Sequence, residues 1–174
     1  MFFVDASHVV MGGFAGTLWS RVRCFARTAC GRKRYSVLGA LNFRGKKGRT
    51  VTNDTYISAE RVVMLMKRLL VKYKNKALAL VLDNAAYQRC EKAREYAKEH
   101  GIGLIFLPSY SLNRIERFWK LVKGKALNAA YHETFEDFKR TIDECISGSK
   151  HKKEMASLIS ENFQLFTDVF IPAA

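Results

Sequence analysis

The 174-residue chain is poor in proline, with only Pro108 and Pro172, and has no low-complexity linker or internal repeat that would divide it. No apolar run approaches the ~20 residues a membrane-spanning helix needs, so no membrane partner is expected. The first apolar stretch, Phe2-Phe3-Val4, is short, has no basic leader and is interrupted by Asp5, so no signal peptide is expected either. Four cysteines, Cys24, Cys30, Cys90 and Cys145, form no C-x-x-C pair, which favours ordinary reduced thiols over zinc or disulfides. There is no Walker-type phosphate loop and no nucleophilic Ser/His/Asp or Cys/His arrangement. Acids are scarce: 16 Asp+Glu against 30 Lys+Arg leave a net charge of +14. Such an excess favours polyanionic partners, because each neutralised phosphate releases condensed counterions. Charge alone does not separate this from a basic but soluble surface or an RNA-associated protein.

What is present fits one globular domain with a sizeable core. Residues 2–5 read as an apolar strand. Residues 17–27 alternate, with Trp19, Arg21, Arg23 and Phe25 on one face, and residues 35–41 form a third strand. Gly31-Arg32-Lys33-Arg34 reads as a basic turn, and residues 42–49, with Lys46, Lys47 and Arg49 among glycines, as a basic loop. Beyond this antiparallel meander, helix and strand alternate. Ser58 is placed to cap a helix burying Val62, Leu65, Met66, Leu69 and Tyr73. Strand 77–82, a helix over 86–100 ending at Gly101, and strand 102–107 follow. A helix from about residue 113 then buries Ile115, Phe118, Trp119 and Val122, at i, i+3, i+4, i+7 spacing. Thr134 caps a further helix stopped by Gly148, and a last one is expected over 152–166. The pattern predicts an α/β fold: a mixed five-stranded sheet, three strands antiparallel and then two parallel, with helices on both faces.

Three acids stand at notable places. Asp5 follows Phe2-Phe3-Val4, Asp83 follows Leu78–Leu82, and Glu116 opens the helix after Pro108. In an open sheet, sites gather at the carboxyl ends of adjacent parallel strands. Carboxylates brought together there repel, by about 4 kcal/mol for a pair at ~4 Å and an effective dielectric near 20. Cations between them would relieve this, and oxygen donors of this kind suit Mg²⁺ or Mn²⁺. Two such ions can activate a water or 3′-hydroxyl and clamp an in-line displacement at phosphorus, which in a basic protein points to a phosphodiester. Plain alternatives stay open: Asp5 as a strand-end residue, Asp83 in an Asx-turn, and Glu116 in a capping box with Asn113 or paired with Lys120. His8 reads as a loop residue or as a ligand or substrate contact at the same site.

The flanking residues carry a resemblance. Phe3-Val-Asp5-Ala-Ser-His8, Leu82-Asp83-Asn84-Ala-Ala-Tyr-Gln-Arg-Cys90 and Leu107-Pro-Ser-Tyr-Ser followed by Leu-Asn-Arg-Ile-Glu116-Arg-Phe-Trp-Lys120 resemble DDE transposases of the mariner superfamily. The nearest likeness is to the bacterial insertion-sequence branch, the "six-thirty" group, and it runs from residue 2 to about residue 147. It implies a ribonuclease-H-like catalytic domain over residues 1–148, with a C-terminal helical extension over 149–174 packed on it. It also implies two Mg²⁺ or Mn²⁺ ions held by Asp5, Asp83 and Glu116, and cleavage and strand transfer on transposon-end and target DNA. Arg32, Lys33, Arg34, Lys46, Lys47, Arg49, Lys120 and Lys123 are the expected phosphate contacts. A homodimer, an upstream-encoded helix-turn-helix half, and a bacterial cytoplasmic, nucleoid-associated location complete the expectation. The loop before Glu116 is two residues shorter than the family pattern, leaving 32 residues between Asp83 and Glu116. A catalytically impaired DNA-binding or dimerising remnant is therefore the alternative.

Overall fold

The structure is a computed structural model that describes residues 1–12, 21–22, 25, 33–42, 48–74, 76–108, 113, 115–128 and 130–147. Its sheet contains β1 (Phe2–Met11), β2 (Lys33–Asn42), β3 (Gly48–Asn53), β4 (Leu78–Leu82) and β5 (Ile102–Phe106), in the order β3-β2-β1-β4-β5. β3, β2 and β1 run antiparallel, while β4 and β5 run parallel to β1. The helices are α1 (Ala59–Lys72), α2 (Ala86–Arg89), α3 (Glu91–Glu99), α4 (Ile115–Ala126) and α5 (Phe135–Ser147).

Strand alternation divides the core into two layers. Phe2 and Val4 of β1, with Leu38 and Ala40 of β2 and Leu80 and Leu82 of β4, pack under Val62, Leu65, Met66 and Leu69 of α1 and Ala93 and Ala97 of α3. On the opposite face Val9, Met11, Tyr35, Val37 and Leu41 meet Ile115, Phe118, Trp119 and Val122 of α4 and Phe138, Ile142 and Cys145 of α5. Each helix thus buries the apolar stripe its spacing predicts, and helices cover both faces.

Several boundaries differ from expectation. β1 continues through Met11 rather than stopping at Asp5, because β2 pairs with all ten of its residues. His8 is therefore a strand residue, opposite Ser36, and not in a loop. Lys33 and Arg34 begin β2 instead of forming a turn. The third antiparallel strand is Gly48–Asn53, so Arg49 is also in a strand. The strand expected over 17–27 lies largely outside the described residues; Arg21 and Val22 are in a bend, and Phe25 is exposed coil. The helix expected over 86–100 is broken at Cys90, whose backbone is extended at φ −61°, ψ 152°. Gly101 ends α3 with φ 64°, the left-handed conformation that favours glycine. Ser58 sits at the N-cap of α1, but its hydroxyl donates to Glu60 Oε2 at 2.6 Å rather than capping the helix. Thr134 caps α5 as expected, its Oγ1 accepting from the Asp137 N–H at 3.1 Å. The helix expected over 152–166 and the extension over 149–174 lie outside the described residues.

Candidate active site

β1 and β4 are paired only from Phe2↔Leu80 to Val4↔Leu82, and the two aspartates are the next residue on each strand. Parallel neighbours lie about 4.8 Å apart, so this register sets Asp5 and Asp83 side by side. The Asp83 carboxylate acts directly on the Asp5 carboxyl. Asn84 then turns the chain away with φ 73°, a value asparagine tolerates better than most side chains. Leu107 N–H donates to the Leu82 carbonyl at 2.8 Å, tying the exit of β5 to the end of β4.

The third acid arrives through Asn113, which is buried. Its Nδ2 donates to the Val4 carbonyl at 3.0 Å, and its own carbonyl accepts from the Glu116 N–H at 3.0 Å. Its Oδ1 accepts from the Ile115 N–H at 3.4 Å. Asn113 therefore joins the start of α4 to the residue preceding Asp5. Below it, Trp119 packs against Gly39, the residue paired with Asp5 on β2. A Cβ at Gly39 would stand 2.8 Å from the Trp119 ring, so only glycine admits that approach.

Electrostatics single out Asp5. Burial, then the Asp83 carboxylate, and to a smaller degree Glu116, push its carboxyl up to about 7, although the Ala6 N–H donates to Oδ1 at 2.7 Å and opposes the rise. Asp5 is therefore the acid of the pair whose charged form its surroundings disfavour. Tyr87, on α2, has its phenol pushed up by burial and then by the charges of Asp83 and Asp5.

The structure thus brings Asp5 and Asp83 together and leaves Glu116 exposed, within range of their charge. Among the described residues no three His, Cys, Asp or Glu side chains converge closely enough to hold a metal ion. Two neighbouring carboxylates are nonetheless a donor set that suits a divalent cation, since they supply hard oxygens and the cation relieves their repulsion. The loop expected to be two residues short falls at residues 109–112, outside the described residues.

The basic residues do not form one patch. Arg34 lies over the Tyr56 ring, 4.8 Å from its centroid, and Lys33 over Phe135 at 5.6 Å. Arg49 is on the edge strand β3, two strands from β1. Lys120 and Lys123 are exposed on α4, one and two turns beyond Glu116. Arg32, Lys46 and Lys47 lie outside the described residues. Sequence reasoning missed Asn113 and Gly39 as site-building residues, and Tyr87. The Leu-Asn sequence just before the helix was the available signal for Asn113; nothing local marked Gly39.

Residues 1–139 match the family model described as DDE superfamily endonuclease. No curated protein matches the chain. Among solved structures, the chain is similar to a pre-cleavage Mos1 transpososome, at 14% identity and a TM-score of 0.69 over 91% of this chain and 51% of that one. It also resembles the catalytic domain of Mos1 mariner transposase, at 14% identity and a TM-score of 0.59, covering 90% of this chain and 74% of that one. The catalytic core domain of BIV integrase gives 16% identity and a TM-score of 0.51, over 81% and 79%. These likenesses carry the fold, which is ribonuclease-H-like. The chain spans about half the length of the Mos1 chains in the larger complexes. Among the described residues no helix is long and apolar enough to cross a membrane.

Proposed function

The chain belongs to the DDE superfamily endonucleases, and on that premise we propose that it is a transposase catalytic domain that cleaves DNA phosphodiesters and transfers the freed strand. The observation that carries this reading is the register that sets Asp5 and Asp83 side by side on adjacent parallel strands, with the charge of Glu116 also acting on Asp5. Asp5 and Asp83 would hold divalent ions, Mg²⁺ or Mn²⁺, with Glu116, on the first turn of α4, as the third acid. Two such ions supply Lewis-acid stabilisation of the attacking and leaving oxygens at phosphorus.

The chain's own residues do the rest. Asp5, whose charged form is disfavoured by burial and by the Asp83 carboxylate, would give up its proton to serve as an oxygen donor. Asn113 holds the helix start against β1, which limits how far Glu116 can drift. Tyr87 keeps its hydroxyl proton and can donate to a phosphate oxygen. Lys120 and Lys123 hold the DNA backbone without reading bases. DNA ends and target DNA are the substrates, with a second copy of the chain and an upstream-encoded recognition half as partners in the bacterial cytoplasm.

Mg²⁺-dependent nicking of supercoiled plasmid tests this, and Asp83→Asn should abolish nicking while DNA binding persists. Binding with no nicking in either Mg²⁺ or Mn²⁺ would favour the alternative, a DNA-binding remnant. The exposure of Glu116, with no three-acid cluster among the described residues, is the observation on that side.

A further inference from the structure

Past Val4, β1 has no pairing with β4 among the described residues, so the strand runs on beyond the acid pair bonded only to β2. His8 lies three residues beyond Asp5, about 10 Å at ~3.3 Å per residue. On β2 its partner is Ser36, and Arg34 faces the same side two residues away. The loop after β3 folds over this part of the sheet, and a chain of hydrogen bonds fixes it there. The Ser36 hydroxyl donates to the Thr55 carbonyl at 2.5 Å and therefore accepts from His8 Nδ1 at 2.8 Å. Asn53 Nδ2 donates to Thr55 Oγ1 at 2.9 Å and to the Tyr56 carbonyl at 2.8 Å. Ile57 anchors the far side in the core.

None of these bonds uses the Tyr56 side chain, which is 70% exposed with Arg34 over its ring. A rigidly held backbone presenting an unburied aromatic ring has no packing purpose. Its chemistry is that of a stacking platform: one face is backed by a guanidinium and the other is open. His8 faces the same side of the sheet as Arg34, with Nε2 turned away from Ser36, and the charge of Lys123 acts on it. An aromatic face beside cationic groups is the combination that binds single-stranded nucleic acid, by base stacking and phosphate pairing together.

We propose that Tyr56, Arg34 and His8 form a nucleotide subsite in which a base of single-stranded DNA stacks on Tyr56 while Arg34 holds its phosphate. This rests on the reading of the chain as a DNA-cleaving domain, and it assigns where an unpaired strand lies. The occupant is single-stranded DNA rather than duplex, because a duplex keeps its base faces covered.

The test uses the full chain in EDTA with single-stranded oligonucleotides carrying 2-aminopurine at successive positions. Wild type should quench the probe at one or two positions. Tyr56→Ala should remove that quenching and weaken binding about tenfold, the order expected for one lost stack. Tyr56→Phe should keep both. Unchanged quenching and affinity in Tyr56→Ala, with wild-type thermal unfolding, overturns the proposal. Lys98→Ala, which removes an exposed α3 charge, should leave the quenching as in wild type. Plasmid nicking in Mg²⁺ separates the two readings. Nicking without Tyr56-dependent quenching overturns the subsite alone, whereas Tyr56-dependent quenching without nicking overturns the catalytic reading and leaves the subsite.

Discussion

The side-chain amide of Asn113 donates a 3.0 Å hydrogen bond to the carbonyl of Val4, the residue before Asp5, so a single buried bond couples the start of α4 to the strand that carries the first acid. Removing it leaves a buried carbonyl unsatisfied, which typically costs about 1–3 kcal/mol. Asn113→Ala should lower stability by that amount in chemical denaturation. Nicking should fall more than 10-fold at saturating Mg²⁺, because Glu116 loses its tether and displacements of ~1 Å at a catalytic group are costly. Full activity in a destabilised Asn113→Ala would show that the helix start is fixed by other contacts.

Gly39 makes a second, independent claim on the same geometry. In Gly39→Ala the new Cβ meets a rigid indole at 2.8 Å and Ile115 Cδ1 at 3.2 Å, an overpacking expected to cost about 1–3 kcal/mol. Trp119→Phe removes the obstructing ring atoms, and because Trp119 Nε1 is buried without a partner, no hydrogen bond is lost with it. The double variant should therefore be more stable than the sum of the single effects predicts. Strict additivity in urea unfolding would place the clash elsewhere.

The raised carboxyl of Asp5 fixes a pH dependence. Its folded value, about 7, lies above the ordinary 3.8, so the folded state binds the extra proton between those limits. The resulting stability is complete below about 3.8 and is lost as pH rises through 7. In EDTA, wild type should melt on the order of a few degrees lower at pH 8 than at pH 5.5, and Asp5→Asn should show a smaller difference. Saturating Mg²⁺ should restore the pH 8 value. An Asp5→Asn profile parallel to wild type would remove Asp5 as the source.

Lys120 and Lys123 project from α4 beyond Glu116. If both contact phosphates, Lys120→Ala/Lys123→Ala should weaken DNA binding and reduce the slope of log K against log salt by about 2. An unchanged slope would place the DNA away from this helix.

The architecture was legible in the sequence where periodicity was long. Val62, Leu65, Met66 and Leu69 of α1 and Ile115, Phe118, Trp119 and Val122 of α4 are buried as their spacing requires. The strand ends were harder to read. Asp5 looked like a terminus because charge interrupts an apolar run, yet antiparallel pairing with β2 carries β1 six residues further. In β3, Arg49 and the flanking glycine and threonines suggested a loop, because an edge strand needs only one buried residue, Val51, to hold it to the sheet. The acid pair could be anticipated from strand order, whereas the Asn113 bond and the Gly39–Trp119 approach could not. Both join residues that are far apart in the chain, and neither leaves a local pattern.

Manganese binding, titrated at pH 8 by the loss of the free-ion paramagnetic resonance signal, puts the acid pair itself to the test. Wild type should bind Mn²⁺ saturably, with affinity falling as pH drops through 7, and Asp5→Asn and Asp83→Asn should each abolish the tightest site. Binding that survives both substitutions, or that ignores pH across that range, would contradict the assignment of Asp5 and Asp83 as the metal-holding pair.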